Sequence, residues 1–211
     1  MKCGGDIPEI TLRRYSKYLA FAEALAKEEW DFVTSADIAR ACDVKEMLIR
    51  KDMAYTGVTG RPHFGYPIPG LIEALKEVLG WDRPRKLVLV GAGKVAETLI
   101  TVFPFANYNV TPSLVVSLEA EAVGTEVAGV PVVSLEELRQ RQQQDPVTLA
   151  VLAVEGSKVQ IVADDLVAHG VKAIWNFTSV SLTVPEGITV VDAGIAADLA
   201  VLCRCLLASG Y

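Results

Sequence analysis

The stretch Lys86-Leu87-Val88-Leu89-Val90-Gly91-Ala92-Gly93-Lys94-Val95-Ala96-Glu97-Thr98-Leu99-Ile100 changes its hydrophobic pattern at the two glycines. The apolar run before them reads as a strand buried on both faces, and the spacing after them is helical. Strand, tight turn and helix in that order open a Rossmann-type domain. Gly91 permits the turn, Gly93 lets backbone approach a pyrophosphate, and Ala96 is small enough for close helix–strand packing. Gly91, Ala92, Gly93, Lys94, Val95 and Ala96 are therefore candidate cofactor-binding residues.

Downstream, further strands are expected at 114–118, 148–154, 172–176 and 189–191, with a helix over 157–169. Alternating strands and helices imply a doubly wound parallel sheet. His169, standing before Gly170, reads as the end of a helix rather than a catalytic group. Upstream, Gly80-Trp81-Asp82-Arg83-Pro84-Arg85 separates a helical pattern from the first apolar strand. The expected division is 1–83, 84–194 and a C-terminal helix over 195–211, whose apolar stripe of Leu199, Leu202, Cys203 and Leu206 needs a partner.

At 211 residues, with 51% hydrophobic and 22% charged, the chain can build two packed cores without disulfides or metal. Cys3, Cys42, Cys203 and Cys205 form no C-x-x-C pair and read as free thiols; no metal site is expected. With neither a spanning apolar run nor a signal peptide, the expected location is the cytoplasm, away from membranes. The net charge of −6 is uneven: residues 1–85 balance thirteen Lys/Arg against thirteen Asp/Glu, while 86–211 hold seven against thirteen. A polyanion could thus approach the first part, provided that its basic residues cluster on one face.

That first part reads as a DNA-binding unit. Leu12, Tyr15, Leu19, Ala22 and Leu25 recur at helical spacing behind Pro8, giving a helix over 8–28. Thr34 and Asp37 resemble a capping box for a short second helix. Asp43 is expected to cap a third over 44–54, with Val44, Met47, Leu48 and Met53 inward and Lys45, Arg50 and Lys51 outward. The Gly-rich, aromatic stretch 56–66 suits a hairpin wing. Such a winged helix-turn-helix would set the third helix and wing on DNA, with Arg13 or Arg14 at backbone phosphate.

Ile7-Pro8-Glu9 leading to Thr11-Leu12 and Arg14, the run Ile49-Arg50-Lys51-Asp52-Met53, and the spacing of Gly57, Gly60 and Gly65-Tyr66 together carry a resemblance to the Rex family of redox-sensing transcriptional repressors. The resemblance implies that Arg50 and Lys51 lie on the recognition helix, that Tyr55 follows it, and that Arg61 and His63 sit on the wing. It further implies NAD(H) as cofactor, with Ser117, Glu119, Val154, Phe177, Thr178 and Asp192 completing the cofactor site. A homodimer joined by a swapped C-terminal helix, bound to a palindromic operator, is the implied assembly.

The chain also departs from the family pattern. Ser117 stands where a ribose-binding carboxylate is usual, Glu155 replaces a proline, Ser179 replaces another, and Val102 or Phe103 occupies a tyrosine position. Pro62-His63 alters the wing, and Glu46 adds a negative charge that either repels phosphate or accepts from a cytosine amine. These departures predict weakened NAD(H) binding and an altered operator. Two other classes stand beside this reading. A small NAD-dependent dehydrogenase lacks a proton donor, since neither His63 nor His169 is suitably placed, and no substrate domain remains. A nucleotide- or CoA-binding interaction module, contacting protein through its N-terminal helices, is admitted by the zero net charge of 1–85.

Overall fold

Pro8 holds an extended backbone (φ −63°, ψ 143°), so helix α1 begins directly behind it and spans Glu9–Lys27. A computed structural model describes residues 7–208; Cys3 lies outside them. Helix α2 (Ser35–Cys42) starts at the Thr34 capping box, with the Asp37 N–H donating to the Thr34 hydroxyl and the Asp37 carboxylate accepting in return. Asp43 does not cap the next helix. It closes α2 in the left-handed region at φ 53°, and α3 (Glu46–Met53) starts at Lys45 without a side-chain cap. An aspartate tolerates that conformation through its short polar side chain, so Asp43 closes the helix before it instead of capping the one after.

Strand β1 (Phe32–Val33) pairs antiparallel with β2 (Tyr66–Pro67), and α4 (Ile68–Leu79) ends where Gly80 turns left-handed at φ 69°. Tyr15, Tyr18, Leu19, Ile38, Ile49 and Leu71 form the core between these elements. Within it sits a charge: Asp52 is 1% exposed. Its carboxylate accepts from Arg14 Nε and Nη2, both at 2.7 Å, and from the Tyr18 hydroxyl at 2.9 Å. The Tyr15 hydroxyl donates to the Asp52 carbonyl, and Arg14 also reaches Thr11 at 2.9 Å. A buried carboxylate survives only with such pairing.

The chain divides between Pro84 and Arg85 into two compact units. In the second, β3 (Arg85–Val90) is central, flanked by β4 (Val110–Ser117) and β7 (Leu149–Leu152). Strands β8 (Ala173–Asn176) and β9 (Thr189–Asp192) extend one side in parallel. On the other side lie β6 (Val130–Ser134), parallel to β4, and β5 (Glu126–Val127), antiparallel to β6. The order β5-β6-β4-β3-β7-β8-β9 is the doubly wound sheet expected. Strands β5 and β6 and helix α6 (Leu135–Gln142) are additional to the sequence reading.

Side chains alternate along β3. Val88 and Val90 join Leu138 of α6 and Val162 and Leu166 of α7 (Val159–Ala168), whereas Leu87 and Leu89 join Ala96 of α5 (Lys94–Val102). His169 ends α7 as expected, its ring Nδ1 at 2.8 Å from the Asp165 carbonyl. Helix α8 (Ile195–Ala208) leaves Leu199, Leu202 and Leu206 at least 55% exposed. No helix among the described residues is long and apolar enough to cross a membrane, and none of their His, Cys, Asp and Glu side chains group as a metal site.

Two outcomes follow from the Asp52 network. Asp52→Ala strands the Arg14 guanidinium and is expected to destabilise the first unit by about 3–5 kcal/mol, read by urea unfolding through Trp30 and Trp81 fluorescence; a loss below about 1 kcal/mol would show the pair to be dispensable. Burial, then the neighbouring Asp52, pushes both the Tyr15 and Tyr18 hydroxyls above their ordinary value of 10. A raised tyrosine favours the neutral form in the fold, so its contribution is complete below pH 10 and is lost as pH rises beyond it. The urea midpoint should therefore fall between pH 10 and 12 in this unit, and substitution of both tyrosines by Phe should flatten that fall.

Candidate nucleic-acid interface and nucleotide cleft

Helix α3 separates its residues by face. Ile49, Asp52 and Met53 turn inward, and Lys45, Arg50 and Lys51 are exposed. Met47 corrects the sequence expectation: it is 82% exposed, because at about 100° per residue it lies nearly opposite Ile49. Arg14 is corrected too. Its guanidinium pairs with Asp52 through Nε and Nη2 and the side chain is 16% exposed, so it is held in the core contact instead of standing out at the surface as Arg13 does. Arg13 does face solvent, paired at 2.8 Å with Glu9 one turn earlier.

Glu46 is engaged within the protein. It accepts from the Ser35 hydroxyl at 2.8 Å and from Arg50 Nη2 at 2.5 Å. Those hydrogen bonds, Ser35 first and then Arg50, hold its carboxyl below the usual glutamate range. The carboxylate thus positions Arg50 instead of standing as an isolated negative charge. Tyr55, just past α3, is 39% exposed.

The wing is a tight turn. Arg61 N–H donates to the Gly65 carbonyl at 2.7 Å, and Gly65 N–H returns to the Arg61 carbonyl at 3.0 Å. Gly65 is required: at φ 92°, a Cβ would lie 2.3 Å from the Val33 carbonyl oxygen. His63 occupies the left-handed region at φ 66°. The Arg61 guanidinium lies 5.2 Å from the Phe32 ring, against which Phe64 also tilts at 5.5 Å.

In the second unit, Gly91 N–H donates to the Val116 carbonyl at 2.8 Å, drawing the turn over β4. A Cβ on Gly91 would meet the Ala153 oxygen at 2.4 Å, whereas one on Gly93 would meet nothing within 4 Å. Gly91 is therefore glycine for the fold. Gly93 caps α5 beside open space, leaving the helix N-terminus accessible to an anion. Ala96 is fully buried.

This turn opens on a cavity of about 490 Å³ bounded by Gly91–Gly93, Ser117–Glu119, Ala122 and Ala153–Lys158. A neighbouring 330 Å³ cavity shares Ala153–Gly156 and adds Val95, Val159 and Phe177–Val180. Both lie at the carboxyl ends of the parallel strands, where the chain reverses direction across the sheet, the usual ligand crevice of doubly wound folds. Ser117 is 6% exposed, and its hydroxyl both donates to the Glu119 carbonyl (3.1 Å) and accepts from the Glu119 N–H (3.0 Å). It closes its own turn. The Glu119 side chain is exposed beside it, Val154 is 8% exposed, and Lys94 is paired with Glu97 at 2.7 Å.

Asn176, the last residue of β8, organises the far end. It donates to Asp192 at 2.7 Å and to the Val180 carbonyl at 2.9 Å, and accepts from the Thr178 N–H and hydroxyl at 3.0 and 2.7 Å. Val102 is 74% exposed at the end of α5, while Phe103 stacks on Tyr108 with centroids 5.4 Å apart. The cavity thus joins a glycine turn and an open helix N-terminus to a wall on which Ser117 ends β4 and Glu119 follows it. Gly91→Ala is expected to cost at least about 2 kcal/mol of stability in this unit, and Gly93→Ala to change it by less than about 0.5 kcal/mol. Thermal unfolding followed through Trp175 distinguishes them; equal effects would contradict the division of roles.

A family model described as the putative DNA-binding protein N-terminus matches residues 6–54, and one described as the CoA binding domain matches 82–180. A redox-sensing transcriptional repressor Rex of Syntrophomonas wolfei is 34% identical over 93% of this chain and 93% of its own. The protein of that name from Porphyromonas gingivalis is 31% identical over 93% of this chain and 90% of its own. The crystal structure of RSP, a Rex-family repressor, superposes with a TM-score of 0.88 at 22% identity, covering 98% of this chain and 97% of that one. RSP in complex with β-NAD⁺ and operator DNA gives 0.91 at the same identity, over 98% and 95%.

Proposed function

From the premise that this chain belongs to the Rex family of redox-sensing transcriptional repressors, we propose that it is a homodimeric DNA-binding repressor whose Rossmann crevice takes NAD(H). The carrying observation is the split of Arg50-Lys51-Asp52, with the aspartate locked inside the first unit and the two cations held out from it. Residues 1–83 act as the winged-helix domain, with Lys45, Arg50, Lys51, Tyr55, Arg61, His63 and Arg13 facing a palindromic operator. Arg50, braced by Glu46, meets base edges, and the remaining cations set register on phosphate. The protein works in the cytoplasm.

Residues 84–194 hold the dinucleotide. Gly93 and the first turn of α5 receive its pyrophosphate, while Glu119 and Val154 border the ribose, and Phe177, Thr178 and Asp192 border the nicotinamide. NAD(H) would supply the redox signal, and no residue here is asked to perform chemistry on it. Residues 195–211 pack on a second subunit through the exposed stripe of α8. A dinucleotide that prefers one dimer geometry shifts the population toward or away from the operator-compatible state by its difference in affinity for the two. Ser117, engaged with Glu119, and Glu155 at the cavity rim make the crevice a weak dinucleotide site.

Calorimetric titration with NADH and NAD⁺ tests the ligand. Ser117→Asp, which supplies a carboxylate at the ribose, should tighten binding roughly tenfold, the worth of about 1.4 kcal/mol. No binding by either protein at millimolar ligand would overturn the dinucleotide reading. Electrophoretic shifts on a pool of palindromic duplexes test the other half; affinity should fall steeply with salt, as phosphate contacts release counterions.

A further inference from the structure

We propose that Met47 is a base-reading residue of α3, its thioether seated against the 5-methyl group of a thymine in the major groove. The inference rests on the reading of residues 1–83 as a DNA-binding domain. Met47 is 82% exposed, although methionine is apolar and the core of this unit lies directly behind the helix. Its exposed neighbours on α3 are Lys45, Arg50 and Lys51, so it does not extend into an apolar patch of the size that a protein partner would need.

Its position matters as much as its exposure. Met47 lies in the first turn of α3, three residues before Arg50, so the two side chains share one strip of the helix surface. In a helix-turn-helix the N-terminal residues of the second helix are those that reach base edges. Arg50 is steadied by the Glu46 and Ser35 side chains, at 2.5 and 3.5 Å. A fixed cation beside an apolar side chain matches a guanine edge next to a thymine methyl, the one apolar group that the major groove displays. The unbranched, polarisable thioether adapts to that contact. Met47 is thus assigned to specificity, and the surrounding cations to affinity.

The test selects a tight-binding duplex from a random pool at low salt, using the full chain. Each thymine of the selected duplex is then replaced in turn by deoxyuridine, which removes only the methyl group. At one thymine per half-site, replacement should weaken the native protein about fourfold, the worth of one methyl taken out of water. Met47→Ala should bind thymine and uracil equally there, with an unchanged salt dependence, and Met47→Leu should keep the discrimination. Indifference of the native protein to every replacement, or a thymine preference that survives intact in Met47→Ala, overturns the assignment while leaving DNA binding in place. Failure to select any duplex overturns the DNA-binding reading and this inference with it.

Discussion

A carboxylate inside a protein core is expensive unless every oxygen is met, and the first unit is arranged around meeting those of Asp52. Arg14 comes from α1 and Asp52 from α3, so their ion pair clamps two helices across the core at 2.7 Å. The tyrosines on either side add hydroxyl donors to the same point. The rotational setting of α3 follows from this clamp. With position 52 fixed inward, positions 50 and 51 must face out, and Met47 is carried out with them. The surface chemistry of the helix is therefore dictated by an interaction inside the core.

The second unit obeys a different constraint, the closeness of backbone to backbone. Gly91 stands between β3 and the end of β7 with no room for a Cβ, which brings the start of α5 to the carboxyl edge of the sheet. The crevice exists because of that fit. What lines it is set separately by the loops after β4, β7 and β8, where Ser117, Glu155 and Asn176 use short side chains or exposed charge. A shared scaffold with divergent lining is how one fold retains a crevice while changing its affinity.

Much of this was legible in the sequence where a local rule acts alone. Pro8, the Thr34–Asp37 box, Gly80 and Gly91 each declare their role through neighbours within a few residues, and the parallel, doubly wound character of the sheet is read from the alternation of elements. Where partners are distant, the pattern was ambiguous. Nothing local says that Arg14 belongs to Asp52, 38 residues away, so Arg14 reads from sequence as a phosphate contact equal to Arg13. An eight-residue helix gives too few apolar positions to set its phase, which placed Met47 inward. Helix α6 hides because Leu-Glu-Glu-Leu-Arg-Gln-Arg-Gln is mostly polar; Gln142 is buried through bonds to Val147 and His169. Its one local mark, the Ser134–Glu137 capping box, was there to be found.

His63 gives the wing a further property. A histidine at φ 66° occupies a conformation that glycine adopts freely and that costs other residues on the order of 1 kcal/mol or more, yet the Arg61–Gly65 turn holds it there. A glycine at this position would sample many shapes in solution and surrender that freedom on contact with a partner. The histidine has less freedom to surrender. The ordering of the wing is thus settled when the chain folds, so its encounter with a binding surface meets a loop already in its working shape, with a correspondingly smaller entropic penalty.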